Sequence, residues 1–108
     1  MNLKSDRPTV QQALDRLTRE IALAREENRT AIKLIHGYGS TGVGGDIRVA
    51  VQKRLRELVA EGGLSGCIFG EDWSTTEDET WRILQARSEL KTDPDLGRRN
   101  MGITIVLL

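Results

Sequence analysis

Residues 37–45 contain five glycines, and this stretch constrains the fold more than any other part of the sequence. Glycine at this density disfavours helix and strand, so we expect a loop. Residues 31–36 come directly before it and are short and β-branched, which is typical of a strand covered on both faces. Residues 47–59 follow it with a helical apolar stripe, for which Asp46 is the expected N-cap and residues 62–63 the stop. The sequence therefore predicts a strand, a glycine loop and a helix, in that order.

The rest of the chain supplies a further helix and further strands. Residues 9–27 carry apolar side chains at spacings of three and four, and Thr9 with Gln12 predicts a capping box at their start. Residues 65–70 and 102–108 are typical of buried strands, and residues 1–5 predict a short opening strand. We expect an α/β fold, a two-layer sandwich in which a mixed four-stranded sheet carries two main helices on one face.

A segment at about residues 72–100 does not fit this simple plan. Residues 80–90 carry Trp81 and Leu84 in a weak helical stripe, and residues 91–100 predict a loop. We expect this extra helix and loop to pack at the edge of the core. The chain of 108 residues is the size of one domain, residues 1–108.

A strand that leads through a glycine loop to a helix N-terminus is a standard arrangement for binding phosphate, because backbone N–H groups and the helix dipole converge there. The loop lacks the Gly-x-x-x-x-Gly-Lys pattern of nucleotide-binding P-loops, and the chain has too few strands for a full dinucleotide site. His36, the only histidine, ends the strand directly before the glycines. It is a candidate general acid or base, and a cap that bonds the loop backbone is the equally open alternative.

Residues 35–42, Ile-His-Gly-Tyr-Gly-Ser-Thr-Gly, resemble the His-Gly-x-Gly-x-Gly motif of the small MutS-related (Smr) domain family. Residues 9–14 and 102–106 are similar to the first helix and the closing strand of that family, so the resemblance covers most of the chain. It implies a fold like the C-terminal domain of translation initiation factor three. It also implies binding to DNA or RNA through backbone phosphates, with endonuclease activity as a candidate function.

The first-strand motif of the family, Leu-Asp-Leu-His-Gly, has no full match in this chain. Leu3 is present, but Asn2 and Lys4 stand where the acidic residue and the histidine are expected, and Asp6 is the alternative carboxylate. The candidate catalytic residues are therefore His36, Lys4 and Asp6. The alternative function is a binding module for nucleic acid or protein that retains the phosphate loop without cleavage.

The candidate phosphate-binding residues lie in the glycine loop and the start of the following helix. They are Gly37, Tyr38, Gly39, Ser40, Thr41, Gly42, Gly44 and Arg48. No group of His, Cys, Asp or Glu has the spacing of metal ligands, so no metal ligand is predicted. A divalent metal stays a candidate cofactor without an evident ligand set.

The charge distribution limits the partners that the chain can attract. Its 16 basic and 16 acidic residues give a net charge of zero, which excludes a strongly basic nucleic-acid-binding domain. Residues 71–80 hold five acidic residues and no basic one, so phosphate contacts are expected only locally. This acidic segment, with Trp73 and Trp81, is a candidate contact for a protein partner; covering the sheet or a helix is the alternative role of both tryptophans.

A single cysteine, with no apolar run of the roughly 20 residues that span a bilayer, predicts a cytoplasmic protein outside the membrane.

Overall fold

The computed structural model describes residues 2–3, 8–37 and 43–108. Within these ranges the elements are α1 (Val10–Glu26), β1 (Ala31–Ile35), α2 (Val43–Ala60), β2 (Gly66–Phe69), α3 (Asp78–Ala86) and β3 (Ile103–Leu107). Short 3₁₀ turns lie at Gly70–Asp72 and Ser88–Thr92. The first helix and the three later strands predicted from the sequence are confirmed, and their ends shift by one residue at most.

Helix α1 begins at the capping box that its sequence predicts. The backbone N–H of Gln12 donates to Thr9 Oγ1 at 3.1 Å, and the backbone N–H of Thr9 donates to Gln12 Oε1 at 2.9 Å. A cap of this kind stabilises a helix by about 1 kcal/mol. The predicted apolar stripe faces the core, with Ala13, Leu17, Ile21 and Ala24 buried.

Helix α2 begins at Val43, three residues before the predicted N-cap. Asp46 therefore lies in the first turn, and Gly44 and Gly45 are helical, so the predicted loop is too long at its end and the assignment of Asp46 as the N-cap is wrong. Each glycine disfavours the helix by roughly 1 kcal/mol relative to alanine. The buried stripe that begins at Ile47 offsets this cost, because burying one large apolar side chain contributes about 1.5–3 kcal/mol.

The end of α2 is a Schellman motif built on the predicted glycine stop. Gly62 has a φ of 80°, in the left-handed region that favours glycine. Its N–H donates to the carbonyl of Val59 at 3.1 Å, and the N–H of Gly63 donates to the carbonyl of Leu58 at 2.8 Å. These two bonds satisfy carbonyls that the helix end would otherwise leave free.

The three strands form an antiparallel sheet in the order β1-β3-β2. Strands β1 and β2 both pair antiparallel with β3, so they run in the same direction and α2 crosses over between them. At the outer side of β1, Asn2 forms an isolated parallel bridge with Ile35, and the N–H of Leu3 donates to the carbonyl of Ile35 at 2.8 Å. The described residues thus form a mixed α/β fold with a three-stranded sheet. The fourth strand stays a prediction, since most of residues 1–5 lies outside the described part. The two-layer sandwich is not confirmed by the described residues.

Apolar clusters cover both faces of this sheet. One cluster packs α1 and α2 against the sheet through residues such as Leu17, Leu34 and Val51. The second cluster lies on the other side, where Trp73 and Leu84 pack with the alternate positions of β3. The extra segment therefore covers the second face of the sheet, and the prediction that it packs at the edge is wrong. The physical reason is that β3 is apolar or buried at every position, so both of its faces need cover.

A polar network fastens the extra segment to β1. Lys33 Nζ donates to Asp93 Oδ1 at 2.9 Å and also bonds Asp95, while Trp73 Nε1 donates to Asp93 Oδ2 at 3.0 Å. Burial alone lowers the pKa of Lys33, but the hydrogen bonds and charges of Asp95 and Asp93 outweigh it and raise that pKa. Hydrogen bonds from Asn100 and Lys33 lower the pKa of Asp95. The polar residue inside β1 is thus an anchor for the segment that covers the sheet.

Candidate functional site

The end of β1 is held against the start of β3 by one shared carbonyl. The backbone N–H groups of His36 and Gly37 both donate to the carbonyl of Gly102, at 3.0 and 3.1 Å. Gly37 has a φ of 76°, a backbone conformation that residues with a Cβ atom rarely adopt. The chain therefore turns sharply at the point where the predicted phosphate loop begins.

The ring of His36 is fully buried, with 0% of the residue exposed, and both of its nitrogens are engaged. Nδ1 lies 2.7 Å from the carbonyl oxygen of Gly37, and Nε2 lies 2.9 Å from Oγ1 of Thr104. A carbonyl oxygen can only accept, so Nδ1 carries the proton. In the neutral ring Nε2 then accepts the hydroxyl proton of Thr104, which assigns one tautomer to the ring.

The surroundings of His36 favour its neutral form. Burial lowers the pKa of His36, and the charge of Arg48 lowers it further. The hydrogen bond to Gly37, the charge of Glu71 and the backbone of Ile103 act in the opposite direction but do not restore the ordinary value. The arrangement matches the cap that was one of the two roles left open by the sequence. Proton transfer by His36 requires the bond to Gly37 or to Thr104 to open first.

Arg48 lies close enough to His36 for its charge to act on the ring. Its Nη2 donates to Glu71 Oε2 at 2.9 Å, and the two side chains are only 21% and 30% exposed. The backbone carbonyl of Glu71 also accepts from Arg99 Nη1 at 3.1 Å. The predicted phosphate-contacting cation is therefore paired with the first residue of the acidic segment.

Two further side chains follow Arg48 along α2 at intervals of four residues. Gln52 is 7% exposed, and its Nε2 is a buried donor without a hydrogen-bond partner in the part of the chain that the structure describes; the same holds for Nε of Arg48. The guanidinium of Arg56 stacks over the ring of Phe69, 4.8 Å from its centroid. The spacing places these residues on one face of the helix, toward the side of the sheet where β2 lies.

Comparison with solved structures bears on the fold around this site. The whole chain aligns with the Smr domain of MutS2 from Thermus thermophilus and covers 94% of that domain's chain, with a TM-score of 0.61 and 20% sequence identity. The chain has the fold of an Smr domain. No family model matches the sequence, and no curated protein matches it significantly. The resemblance found at residues 35–42 is confirmed at the level of the Smr fold.

Only part of the predicted site lies in the described part of this Smr fold. Lys4 and Asp6 lie outside the described residues, as do Tyr38, Gly39, Ser40, Thr41 and Gly42. The structure brings His36, Gly37 and Arg48 together at one end of the sheet, while Gly44 lies in the first turn of α2. Residues 38–42 connect these two places along the chain.

Sequence reasoning missed Thr104, Glu71 and Gln52. Thr104 had a signal in the sequence, since it is the only polar residue in an otherwise apolar strand. The structure shows that it is fully buried. Gln52 had a signal too, because it lies one turn beyond Arg48. Glu71 had none, because its partner is distant in sequence and no periodicity links the two.

The described residues hold neither a cluster of metal ligands nor a membrane-spanning helix. Within residues 2–3, 8–37 and 43–108, no three side chains of His, Cys, Asp or Glu lie together as metal ligands do. No helix in those ranges has the length and apolar character needed to cross a bilayer.

Proposed function

We propose that the chain binds nucleic acid through backbone phosphates at the site where β1 ends and α2 begins. We call this the β1–α2 site, and it comprises residues 36–37, the connecting residues 38–42 and the first turns of α2 as far as Arg48. The observation that carries the proposal is the junction of a sharply turned strand end with a helix N-terminus, within an Smr fold.

Helix α2 supplies the attraction for an anion. Its first backbone N–H groups have no partner within the helix, and the helix dipole adds the equivalent of about half a positive charge at this end. Glycine at positions 44 and 45 puts no side chain over these amides. Arg48 adds a positive charge near the same end, which its ion pair with Glu71 and the carboxylate of Asp46 in the first turn partly offset. Because the contacts are to phosphate, DNA and RNA are both ligands of the expected class.

The geometry of His36 supports binding without cleavage. Both ring nitrogens are bonded and the ring is buried, so His36 serves the β1–α2 site by holding the strand end in place. Phosphodiester cleavage is the second candidate, and the order of strand, histidine and glycine loop favours it. It would use His36 as the acid or base, with Lys4 or Asp6 as its partner.

A protein partner at the acidic segment has less support. Trp73 is fully buried and bonds Asp93, so it covers the sheet, which was the alternative role given to it. Trp81 on α3 is 48% exposed and is the tryptophan that a partner could reach. This third candidate therefore depends on Trp81 and the acidic side chains near it.

Binding is tested by fluorescence anisotropy with labelled single-stranded DNA, duplex DNA and RNA at several salt concentrations. We expect salt-dependent binding that Arg48→Gln weakens, because phosphate contacts release counterions. Arg54→Gln is the matched control, since it removes the same charge from the same helix at a side chain that is 40% exposed. Absence of binding to all three nucleic acids at low salt would overturn the proposal.

Cleavage is tested in parallel with supercoiled plasmid and RNA, in the presence and absence of divalent metals. Binding without cleavage is the expected result. Cleavage by the wild-type protein that is lost in both His36→Ala and Thr104→Val would instead select the second candidate. Two variants are needed because His36→Ala leaves a cavity and is the more disruptive change.

A further inference from the structure

The ion pair between Arg48 and Glu71 links the β1–α2 site to the acidic segment. A guanidinium binds a carboxylate with the same N–H groups that it uses for a phosphate. Glu71 Oε2 occupies Nη2 of Arg48 at 2.9 Å, in a place where less than a third of either side chain is exposed. The donor that a phosphate would engage is therefore already bonded to an anion of the same chain.

Two donors on α2 lack an acceptor among the described residues. Nε of Arg48 and Nε2 of Gln52 are buried, and no described residue accepts from either of them. The two residues are four positions apart, so they lie on the same face of α2. Buried donors in folded proteins are nearly always bonded to protein groups or to water, so an anion that reaches this helix face meets donors that the described side chains leave open. Glu71 satisfies one donor of this group and leaves the others open.

Glu71 is held in place by a tightly packed backbone turn. A Cβ at the preceding residue, Gly70, would lie 1.7 Å from the carbonyl oxygen of Asn100, so the two segments are in direct contact. The guanidinium of Arg99 donates to the carbonyl of Glu71 at 3.1 Å. The 3₁₀ turn Gly70–Asp72 thus presents the Glu71 carboxylate to α2 from a position fixed by its backbone.

We propose that Arg48 and Gln52 form a phosphate-binding site on α2 and that Glu71 competes with phosphate for it. A backbone phosphate has enough oxygens to bond Nη2 and Nε of Arg48 and Nε2 of Gln52 together, whereas Glu71 bonds only the first. Binding would displace the Glu71 carboxylate into solvent. Its negative charge would then lie farther from the nucleic acid and repel it less. This inference rests on the proposed function, because it names the residues that regulate the same β1–α2 site.

The test compares Glu71→Gln with Glu77→Gln, which removes the same charge from the same acidic segment at a side chain without an ion pair in the described residues. Each variant is titrated against labelled single-stranded DNA and RNA by anisotropy. Glu71→Gln should lower Kd by about two- to fivefold, the value of one partly exposed ion pair. Glu77→Gln should lower it less. In an Arg48→Ala background, Glu71→Gln should change Kd no more than the control does.

A second readout separates this inference from the proposed function. Inorganic phosphate is titrated into ¹⁵N-labelled protein while the Nε–Hε signal of Arg48 and the side-chain amide signal of Gln52 are followed. We expect both signals to shift, and to shift at lower phosphate concentration in Glu71→Gln. If wild type binds oligonucleotide and Glu71→Gln binds no more tightly than Glu77→Gln, the inference is overturned and the proposed function stands. If phosphate shifts both signals but no oligonucleotide binds, the anion site stands and the proposed function fails.

Discussion

The hydroxyl of Thr104 lies 2.9 Å from Nε2 of His36, the only histidine in the chain, and it donates to that nitrogen because Nδ1 carries the ring proton. The two residues are 68 positions apart and come from different strands. Nδ1 of the same ring bonds the carbonyl of Gly37, so the His36 side chain links the start of the glycine loop to the central strand of the sheet.

Thr104→Val should destabilise the protein, because valine has the shape of threonine but leaves Nε2 of His36 buried without a donor. The expected loss is about 1–3 kcal/mol in the free energy of unfolding, the usual cost of an unsatisfied buried polar group. Urea denaturation measures it. Thr104→Ser keeps the hydroxyl and should retain more of the stability; equal stability of wild type and the valine variant would contradict the assigned hydrogen bond.

His36 should make stability depend on pH in a definite direction. Its pKa in the folded state lies below the ordinary value of 6.5, so the unfolded chain binds the proton more readily. Stability is therefore fully present above pH 6.5 and is lost as the pH falls from there toward the folded-state pKa. Urea midpoints across this range measure the effect, and His36→Gln should flatten the curve.

The titration of the single imidazole gives an independent check on that account. NMR of the ring protons should show a pKa below 6.5 and, at neutral pH, a proton on Nδ1. A pKa at or above 6.5 would show that the ring is not buried in solution, and a proton on Nε2 would show that Nδ1 does not donate to Gly37.

Lys33→Met should destabilise the fold by about 2 kcal/mol, because it leaves the partly buried carboxylates of Asp93 and Asp95 without their cation. Arg82→Met is the control. Its partner is Glu79, and the two side chains are 77% and 58% exposed, so its loss should be within about 0.5 kcal/mol. Urea denaturation compares the two, and equal losses would show that Lys33 does not anchor the extra segment.

Gly70→Ala should be among the most damaging single substitutions in the chain. The new Cβ would lie 1.7 Å from the carbonyl oxygen of Asn100 and 2.8 Å from that of Ile103, so backbone must move. We expect a loss of about 3 kcal/mol or more. Gly66→Ala is the matched control, because its Cβ would make an ordinary contact at 3.5 Å with Leu107. Similar unfolding midpoints for the two variants would contradict the packing of the turn at residue 70.

Local signals predicted most of the fold. The capping box of Thr9 and Gln12 located the start of α1 because the bonds that form it join residues three apart. The start of α2 was misplaced because glycine propensity is a local quantity, whereas the burial of Ile47 that outweighs it depends on the whole sheet. The sequence analysis also missed that the extra segment covers the second face of the sheet. An apolar strand indicates that both of its faces are covered, but the residues that cover them depend on the whole fold.

The candidate site was predictable in its chain segments but not in its contacts. The strand end at His36 and the helix that carries Arg48 follow from the order of elements. The partners that decide their chemistry, Thr104 and Glu71, lie 68 and 23 residues away, and no spacing rule connects residues so far apart. The sequence therefore located the histidine but left its role open between catalysis and capping.

An amide-resolved NMR titration with single-stranded DNA and RNA tests whether nucleic acid binds at the junction of β1 and α2. The largest shifts should fall at His36, Gly37 and the first turns of α2 from Val43 to Arg48. They should diminish as salt rises, because the contacts are to phosphate. Shifts confined to α3 around Trp81, or no shifts at low salt with either nucleic acid, would contradict the account.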